Sequence, residues 1–115
     1  MLLNLSNHPS TLWPQNQLQQ AQQLYHTVTD LPFPQIDPEY NSDQLEMLVE
    51  EYELKVRKTD PIAVHIMGEL TFTYRLVNRL KAIGIHCIAS TTERKVSIEN
   101  NIKTSQFQFV QFRDY

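Results

Sequence analysis

The sequence has very little glycine and a single cysteine. Its two glycines, Gly68 and Gly84, cannot supply a GxGxxG motif or a P-loop, which excludes nucleotide binding by either motif. With Cys87 as the only cysteine there is no disulfide framework, so a reducing compartment is expected. No apolar run approaches the roughly 20 residues that span a bilayer, and the start lacks the basic flank of a signal peptide. We therefore expect a soluble, cytoplasmic protein.

The chain also lacks a strong excess of positive or negative charge. The net charge is −3 over 115 residues, with acids and bases spread along the chain, so no basic stripe for duplex DNA or RNA is present. No His, Cys, Asp or Glu cluster has metal-ligand spacing, and we expect neither a metal nor a cofactor. The chain is 41% hydrophobic, enough for one core at this length. We predict one domain over residues 1–115 and leave a small anionic ligand open.

Predicted strands alternate with predicted helices along most of the chain. The strands cover residues 2–6, 27–33, 62–67 and 85–89, and the helices cover residues 14–26, 41 to about 58, and 71–83. This β-α-β-α-β-α-β order predicts an α/β fold with a Rossmann-like, doubly wound parallel sheet and right-handed crossovers. Two alternating segments, 95–99 and 105–112, then predict a C-terminal β-hairpin.

Local patterns refine these elements. Asn41 and Gln44 form a predicted capping box, and Gly84 is placed to end a helix in the left-handed region. In the last segment Phe109 and Phe112 are out of phase, which predicts a bulge. The glutamine-rich face of the first helix is expected to be solvated.

Polar side chains follow three of the predicted strands, where parallel sheets bind ligands. The groups available there are hydroxyls, an amide, an imidazole, a carboxylate and a guanidinium, supplied by segments 6–11, 68–71 and 90–94. Such a set is suited to binding phosphate and ribose. Simpler alternatives remain: helix caps for the serines and threonines, a strand end for Gly68, and a surface ion pair for Arg94. His65 and His86 are expected to be core or edge histidines, and Cys87 a buried, inert thiol.

Three short segments carry a family resemblance. These segments resemble those of the CRISPR-associated Rossmann-fold (CARF) proteins. They are the first strand running into Ser6-Asn7-His8, the strand ending Met67-Gly68-Glu69, and residues 89–94 (ASTTER). The closest likeness is to the small stand-alone ring nucleases of type III CRISPR systems. The resemblance implies a homodimer that binds a cyclic oligoadenylate across its two-fold axis, with cyclic tetra-adenylate the expected ring. It also implies metal-independent cleavage by a ribose 2′-hydroxyl, giving a 2′,3′-cyclic phosphate and ending the antiviral response.

The resemblance also implies roles for individual residues. Arg94, His8 and Asn7 would be catalytic. The ligand would be bound by Ser6, Ser10, Thr11, Gly68, Glu69, Thr71, Ser90, Thr91 and Thr92. Only one arginine and no lysine lie near this predicted site, and we expect no appended effector domain. Two alternatives are a non-catalytic module that binds or sequesters the nucleotide, and a protein-interaction domain that uses the hairpin edge.

Overall fold

The computed structural model describes residues 1–115 and has a mixed α/β architecture. In chain order the elements are β1 (Leu2–Ser6), a 3-10 turn (Ser10–Leu12), α1 (Gln15–Tyr25), β2 (Val28–Asp30), α2 (Ser42–Thr59), β3 (Ala63–Met67), α3 (Leu70–Ala82), β4 (Cys87–Glu99) and β5 (Ile102–Asp114). They form one five-stranded sheet in the order β2-β1-β3-β4-β5. The first four strands are parallel, and β5 is antiparallel to β4. The predicted doubly wound sheet with a terminal hairpin is confirmed.

The sheet changes its direction of growth between β1 and β3. From β1 the chain places β2 on one side, and it then returns across the sheet to place β3 on the other. Right-handed crossovers in opposite directions put α1 on one face and both α2 and α3 on the opposite face. The gap between β1 and β3 is therefore the topological switch point, where open α/β sheets bind ligands.

The larger core lies under α2 and α3. Leu45, Val49, Tyr52 and Val56 make the buried stripe of α2, at the spacing that the sequence predicted. The predicted capping box opens this helix. The Asn41 side chain accepts from the Gln44 backbone and the Gln44 side chain accepts from the Asn41 backbone, both at 2.9 Å.

The smaller core lies under α1. It consists of Leu2, Trp13, Ala21, Tyr25, Ala63 and Ile88. The expectation of a fully solvated glutamine face on α1 is wrong at Gln17, which is buried and faces the sheet. Because each strand alternates its side chains between the two faces, the polar residues Asn4, Ser6 and His65 also point toward the α1 side.

The second and fourth predicted strands differ most from the structure in their bounds. The second is shorter, since Leu31 makes the last backbone bond to β1 and Pro32 and Pro34 cannot donate one. The fourth begins at Cys87 and continues without a break to Glu99, so residues 90–94 are not a loop at a strand end. No glycine or proline interrupts this β-branched and polar stretch, and β5 offers it a continuous partner.

The hairpin extends beyond the parallel strands as a two-stranded ribbon. Asn100 and Asn101 form its two-residue turn with φ of 50° and 63°, as a type I′ turn requires. The predicted bulge is confirmed: the register shifts between Thr91 and Thr92, which leaves Val110 as the extra residue of β5. Phe109 and Phe112 thereby reach the same face, with ring centroids 5.0 Å apart. None of the helices combines the length and the apolar character needed to cross a membrane.

Candidate functional site

A cleft of about 410 Å³ opens at the carboxyl ends of β1 and β3 and beside residues 90–92 of β4, on the face that carries α1. Its polar lining comprises Ser6, His8, Gln17, His65, Ser90 and Thr92. Its apolar lining comprises Leu12, Trp13, Pro14, Met67, Phe107 and Phe109. The cleft thus lies beside the switch point and combines hydroxyl and imidazole groups with aromatic walls.

Asn4 is the centre of a buried hydrogen-bond network beneath this cleft. Its Nδ2 donates both hydrogens, to Asp30 Oδ1 at 2.8 Å and to the His8 carbonyl at 2.9 Å. Its Oδ1 therefore faces the remaining partners, accepting from Ser6 Oγ at 2.8 Å and lying 2.9 Å from His65 Nδ1. Because an amide oxygen can only accept, His65 Nδ1 carries the hydrogen.

The network continues from His65 to Ser90. With the hydrogen on Nδ1, the lone pair of the imidazole is on Nε2, and Ser90 Oγ lies 2.7 Å from it. Ser90 Oγ–H therefore donates to His65, while Ser90 Oγ accepts from Gln17 Nε2 at 3.0 Å. The Trp13 ring packs edge-on against the imidazole at a centroid distance of 5.2 Å and holds it in place.

Burial determines the charge of the imidazole. Desolvation, with a further contribution from His8, lowers the pKa of His65 to about 4, so the ring is neutral near pH 7. The cleft lining contains no Lys, Arg, Asp or Glu, so the imidazoles are its only titratable groups. No three His, Cys, Asp or Glu side chains converge anywhere in the chain. The predicted burial of the Cys87 thiol is confirmed, and this burial raises its pKa to about 11.

The structure brings four of the predicted site residues into the cleft: Ser6, His8, Ser90 and Thr92. Asn7 instead lines a smaller neighbouring cleft beside Asp30 and Phe33. The Ser10 amide and hydroxyl both donate to Asp30, so this serine orders its own loop. The side chain of Thr11 is exposed on the 3-10 turn and does not line the cleft.

Gly68, Glu69 and Thr71 do not line the cleft either. Glu69 caps α3 by accepting from the backbone amides of Thr71 and Phe72, each at 2.9 Å. The hydrogen bonds from Thr71 lower the pKa of the Glu69 carboxyl. Both residues border a separate groove beside Ile36, so Glu69 does not share a cleft with Asp30.

Gly68 is needed for packing against Phe33. A Cβ at position 68 would overlap the Phe33 ring, which itself packs edge-on against Phe72 at 5.2 Å. We expect Gly68→Ala to lower the free energy of unfolding by about 1–3 kcal/mol, as overpacking does. Chemical denaturation in the wild-type and Phe33→Ala backgrounds checks this, because the cost should shrink when the ring is absent.

Gly84 supplies the control for that comparison. It has φ of 82° and open space around its Cα, so the cost of Gly84→Ala comes from backbone strain. That cost should be the same with or without the Phe33 ring. An undiminished cost of Gly68→Ala in the Phe33→Ala background would contradict the packing explanation.

Arg94 and Thr91 lie outside the cleft because β4 continues where a loop was expected. Thr91 Oγ pairs with the Gln111 backbone on the outer strand. Arg94 sits on the same face as Thr92, two residues further along the hairpin, and its guanidinium donates to Ser105 Oγ at 3.0 and 3.3 Å. The surface ion pair considered for Arg94 does not form, because the guanidinium is bonded to the neutral Ser105 hydroxyl and pairs with no carboxylate. The Arg94 guanidinium, the predicted cationic group of the site, therefore lies next to the cleft but not in it.

Asn4, Gln17 and Trp13 are not among the predicted site residues, and His65 was expected only as a core or edge histidine. A signal for two of them was present. Asn4 interrupts the apolar run LLNLS and His65 interrupts IAVHIM. A polar residue in a strand buried on both faces needs a partner, and neighbouring strands of a parallel sheet can supply it. In the structure Asn4 and His65 are direct register partners.

Fold and cleft together define a class: a doubly wound α/β protein whose polar cleft lies at the switch point of a Rossmann-like sheet. The chain belongs to the Uncharacterized protein MJ1673 family, whose model matches residues 1–113. Neither the curated proteins nor the solved structures yield a match.

Proposed function

We propose that this protein binds a cyclic oligoadenylate in the cleft and opens the ring by metal-independent phosphodiester cleavage. The observation that carries the proposal is the meeting, at the switch point, of an oriented neutral imidazole with hydroxyl groups and aromatic walls. The resemblance of the Ser6-Asn7-His8 and Ala89–Arg94 segments to ring nucleases supports the choice of ligand.

The aromatic wall suits an adenine base. Phe107 is 71% exposed and stands at the cleft beside Phe109, so a base can stack on its face without any rearrangement of the core. Stacking on an aromatic side chain contributes about 1–3 kcal/mol per base. With the base stacked there, the ribose and phosphate of the same nucleotide would face the polar part of the lining. This part includes the hydroxyls of Ser6 and Thr92 and the imidazole of His8.

His65 Nε2 supplies the proton acceptor for the reaction. A ribose 2′-hydroxyl that takes the place of Ser90 Oγ–H would give its proton to this nitrogen and attack the adjacent phosphorus. The bond from phosphorus to the 5′-oxygen breaks, and His8, the second imidazole of the lining, is the group we assign to return a proton to that oxygen. The products are a 2′,3′-cyclic phosphate and a free 5′-hydroxyl. In such a site the rate enhancement comes mainly from holding the 2′-hydroxyl in line with the phosphorus that it attacks.

The cleft is smaller than a whole ring. Its 410 Å³ lies at the lower end of the range for small-molecule sites, about 300–1,000 Å³. One nucleotide would fill it, and the rest of the ring would extend across the hairpin face toward a second copy of the chain. A two-fold dimer provides two such clefts for one ring.

Arg94 is placed to meet a phosphate of that extended ring. It shares a face with Thr92 and is held only by Ser105, so its guanidinium can turn toward the ligand. We expect Arg94→Ala to weaken ring binding about tenfold, the effect of losing one charged hydrogen bond. Lys95→Ala is the matched control, because Lys95 is the next residue and faces the other side of the ribbon. Equal effects of both changes in calorimetry would contradict a role for Arg94.

Mass spectrometry of protein mixed with cyclic tri-, tetra- and hexa-adenylate in excess EDTA tests the proposal. Linear products that end in a 2′,3′-cyclic phosphate are expected. Intact rings recovered from a tight complex would favour the second candidate, a module that only binds or sequesters the nucleotide. The uncharged cleft lining is the observation that favours this candidate, since no fixed cation there stabilises the transition state. Absence of any binding would refute both.

A further inference from the structure

We propose that Ser90, His65 and Asn4 form a nucleophilic triad that gives this protein an esterase activity toward uncharged carboxylic esters. This activity goes beyond the proposed ring cleavage and does not depend on it. The reacting group is a side chain of this protein rather than a ribose hydroxyl.

The geometry matches the roles that such a triad requires. Ser90 Oγ–H donates to His65 Nε2 at 2.7 Å, and His65 Nδ1–H donates to Asn4 Oδ1 at 2.9 Å. The nucleophile, the base and the group that orients the base come from three adjacent parallel strands, β4, β3 and β1. Triads are recognised by these contacts and not by chain order.

The third member is itself held in place. Both hydrogens of Asn4 Nδ2 are used, one by Asp30 and one by the His8 carbonyl. The amide therefore cannot turn over without losing both bonds, and the imidazole keeps its hydrogen on Nδ1. This fixed tautomer is what a serine nucleophile needs, because the opposite tautomer would leave no acceptor for the Oγ proton.

The lining of the cleft indicates the substrate class. Ser90 opens onto a cavity whose walls include Trp13, Met67 and Phe107 and whose lining contains no Lys, Arg, Asp or Glu. An uncharged ester with an apolar acyl or aryl group can enter such a cavity without the free-energy cost of removing a charged group from water. The chemical class we assign is therefore the neutral carboxylic ester.

Each step conserves atoms and protons. In acylation the Ser90 Oγ proton passes to His65 Nε2 while Oγ bonds to the carbonyl carbon. The tetrahedral adduct then expels the alcohol, which takes the proton from Nε2. In deacylation a water molecule gives a proton to Nε2 and attacks the acyl carbon, and Ser90 Oγ leaves with that proton. No oxidant, reductant or other co-reactant is required.

The test uses an alkyl fluorophosphonate, which reports a reactive serine without any natural substrate. Ser90 Oγ would bond to phosphorus, fluoride would leave, and the proton would pass through His65 to solvent. Peptide mass spectrometry should place the adduct on Ser90. His65→Gln should slow labelling by about 100-fold or more, the range for loss of a general base. His86→Gln is the matched control, since His86 is exposed and contacts only Asp114 among charged groups.

The pH dependence of labelling in the unchanged protein provides a second measurement that needs no variant. The base is neutral above the His65 pKa of about 4, so the labelling rate should be level near neutrality and should fall only toward that pKa. Two titratable groups face His65: His8 from the loop after β1, and Asp30 through Asn4. No adduct on Ser90, or equal labelling of His65→Gln and the wild type, would overturn the proposal. A failure to cleave cyclic oligoadenylate would not affect it.

Discussion

Lowering the pH from 7 to about 4 should reduce the free energy of unfolding by roughly 3 kcal/mol through His65 alone. In the folded chain the pKa of His65 is lowered to about 4, from the 6.5 of an unperturbed imidazole. Between these two values the unfolded state binds a proton that the folded state does not, so stability increases with pH in this window. Each pKa unit corresponds to about 1.4 kcal/mol, which gives the stated loss.

Urea titrations at several pH values would measure this loss, with His65→Gln as the comparison. The variant has no group that titrates in this window at position 65, so its stability should change much less between pH 7 and about 5. Below that range the carboxyls of Glu46 and Glu69 also lose stabilisation, because hydrogen bonds lower the pKa of each in the folded state. That loss is common to both proteins. Parallel curves for the two would show that His65 is not buried in its neutral form.

The fold could be predicted wherever a local pattern has one physical solution. The stripe of Leu45, Val49, Tyr52 and Val56 can be buried only by a helix, and the Asn41 capping box fixes where it starts. The apolar runs that became β1 and β3 suit strands covered on both faces. The alternation of strands and helices predicts a doubly wound sheet, and Asn100-Asn101 predicts the hairpin turn, as the structure has them.

The site could be predicted only in part, because it depends on register and on how far a strand continues. The rule that ligands bind at strand ends led to Ser6, His8, Ser90 and Thr92, which the structure gathers around one cleft, although Ser90 and Thr92 lie within β4 and not at its end. It misplaced Arg94, because the predicted strand ended at residue 89 and the predicted hairpin began at residue 95, whereas in the structure residues 90–94 join them into one continuous strand. It also could not reveal that Phe33 covers Gly68, a contact between residues 35 positions apart in the chain.

The network around Asn4 shows why the missed residues belong together. Each member alone has an ordinary explanation: a polar residue in a strand, a core histidine, a glutamine on a helix. Side by side in the parallel register they satisfy one another, so that each of these buried polar side chains obtains a partner. Four members of the network line the cleft, namely Ser6, Gln17, His65 and Ser90, and reactivity is expected where the imidazole meets the serine.

The largest effect on activity is expected from His65→Gln in the ring-cleavage assay. In the proposed reaction His65 Nε2 takes the 2′-hydroxyl proton, and a glutamine amide cannot do so. Loss of a general base lowers a rate by about 100- to 10,000-fold. Binding of the ring should change little, because the stacking wall and the hydroxyls of the cleft are unaltered. Single-turnover cleavage together with calorimetric binding would separate the two quantities.

Two further variants make this measurement specific. His86→Gln removes an exposed imidazole on the same sheet, paired with Asp114 and away from the cleft, and should cleave at the wild-type rate. Ser90→Ala should lose less cleavage than His65→Gln, because Ser90 neither accepts nor returns the transferred proton in this reaction. If His65→Gln cleaves at the wild-type rate, His65 is not the base. If Ser90→Ala loses as much as His65→Gln, the serine itself attacks the phosphodiester, and the products should then lack a 2′,3′-cyclic phosphate.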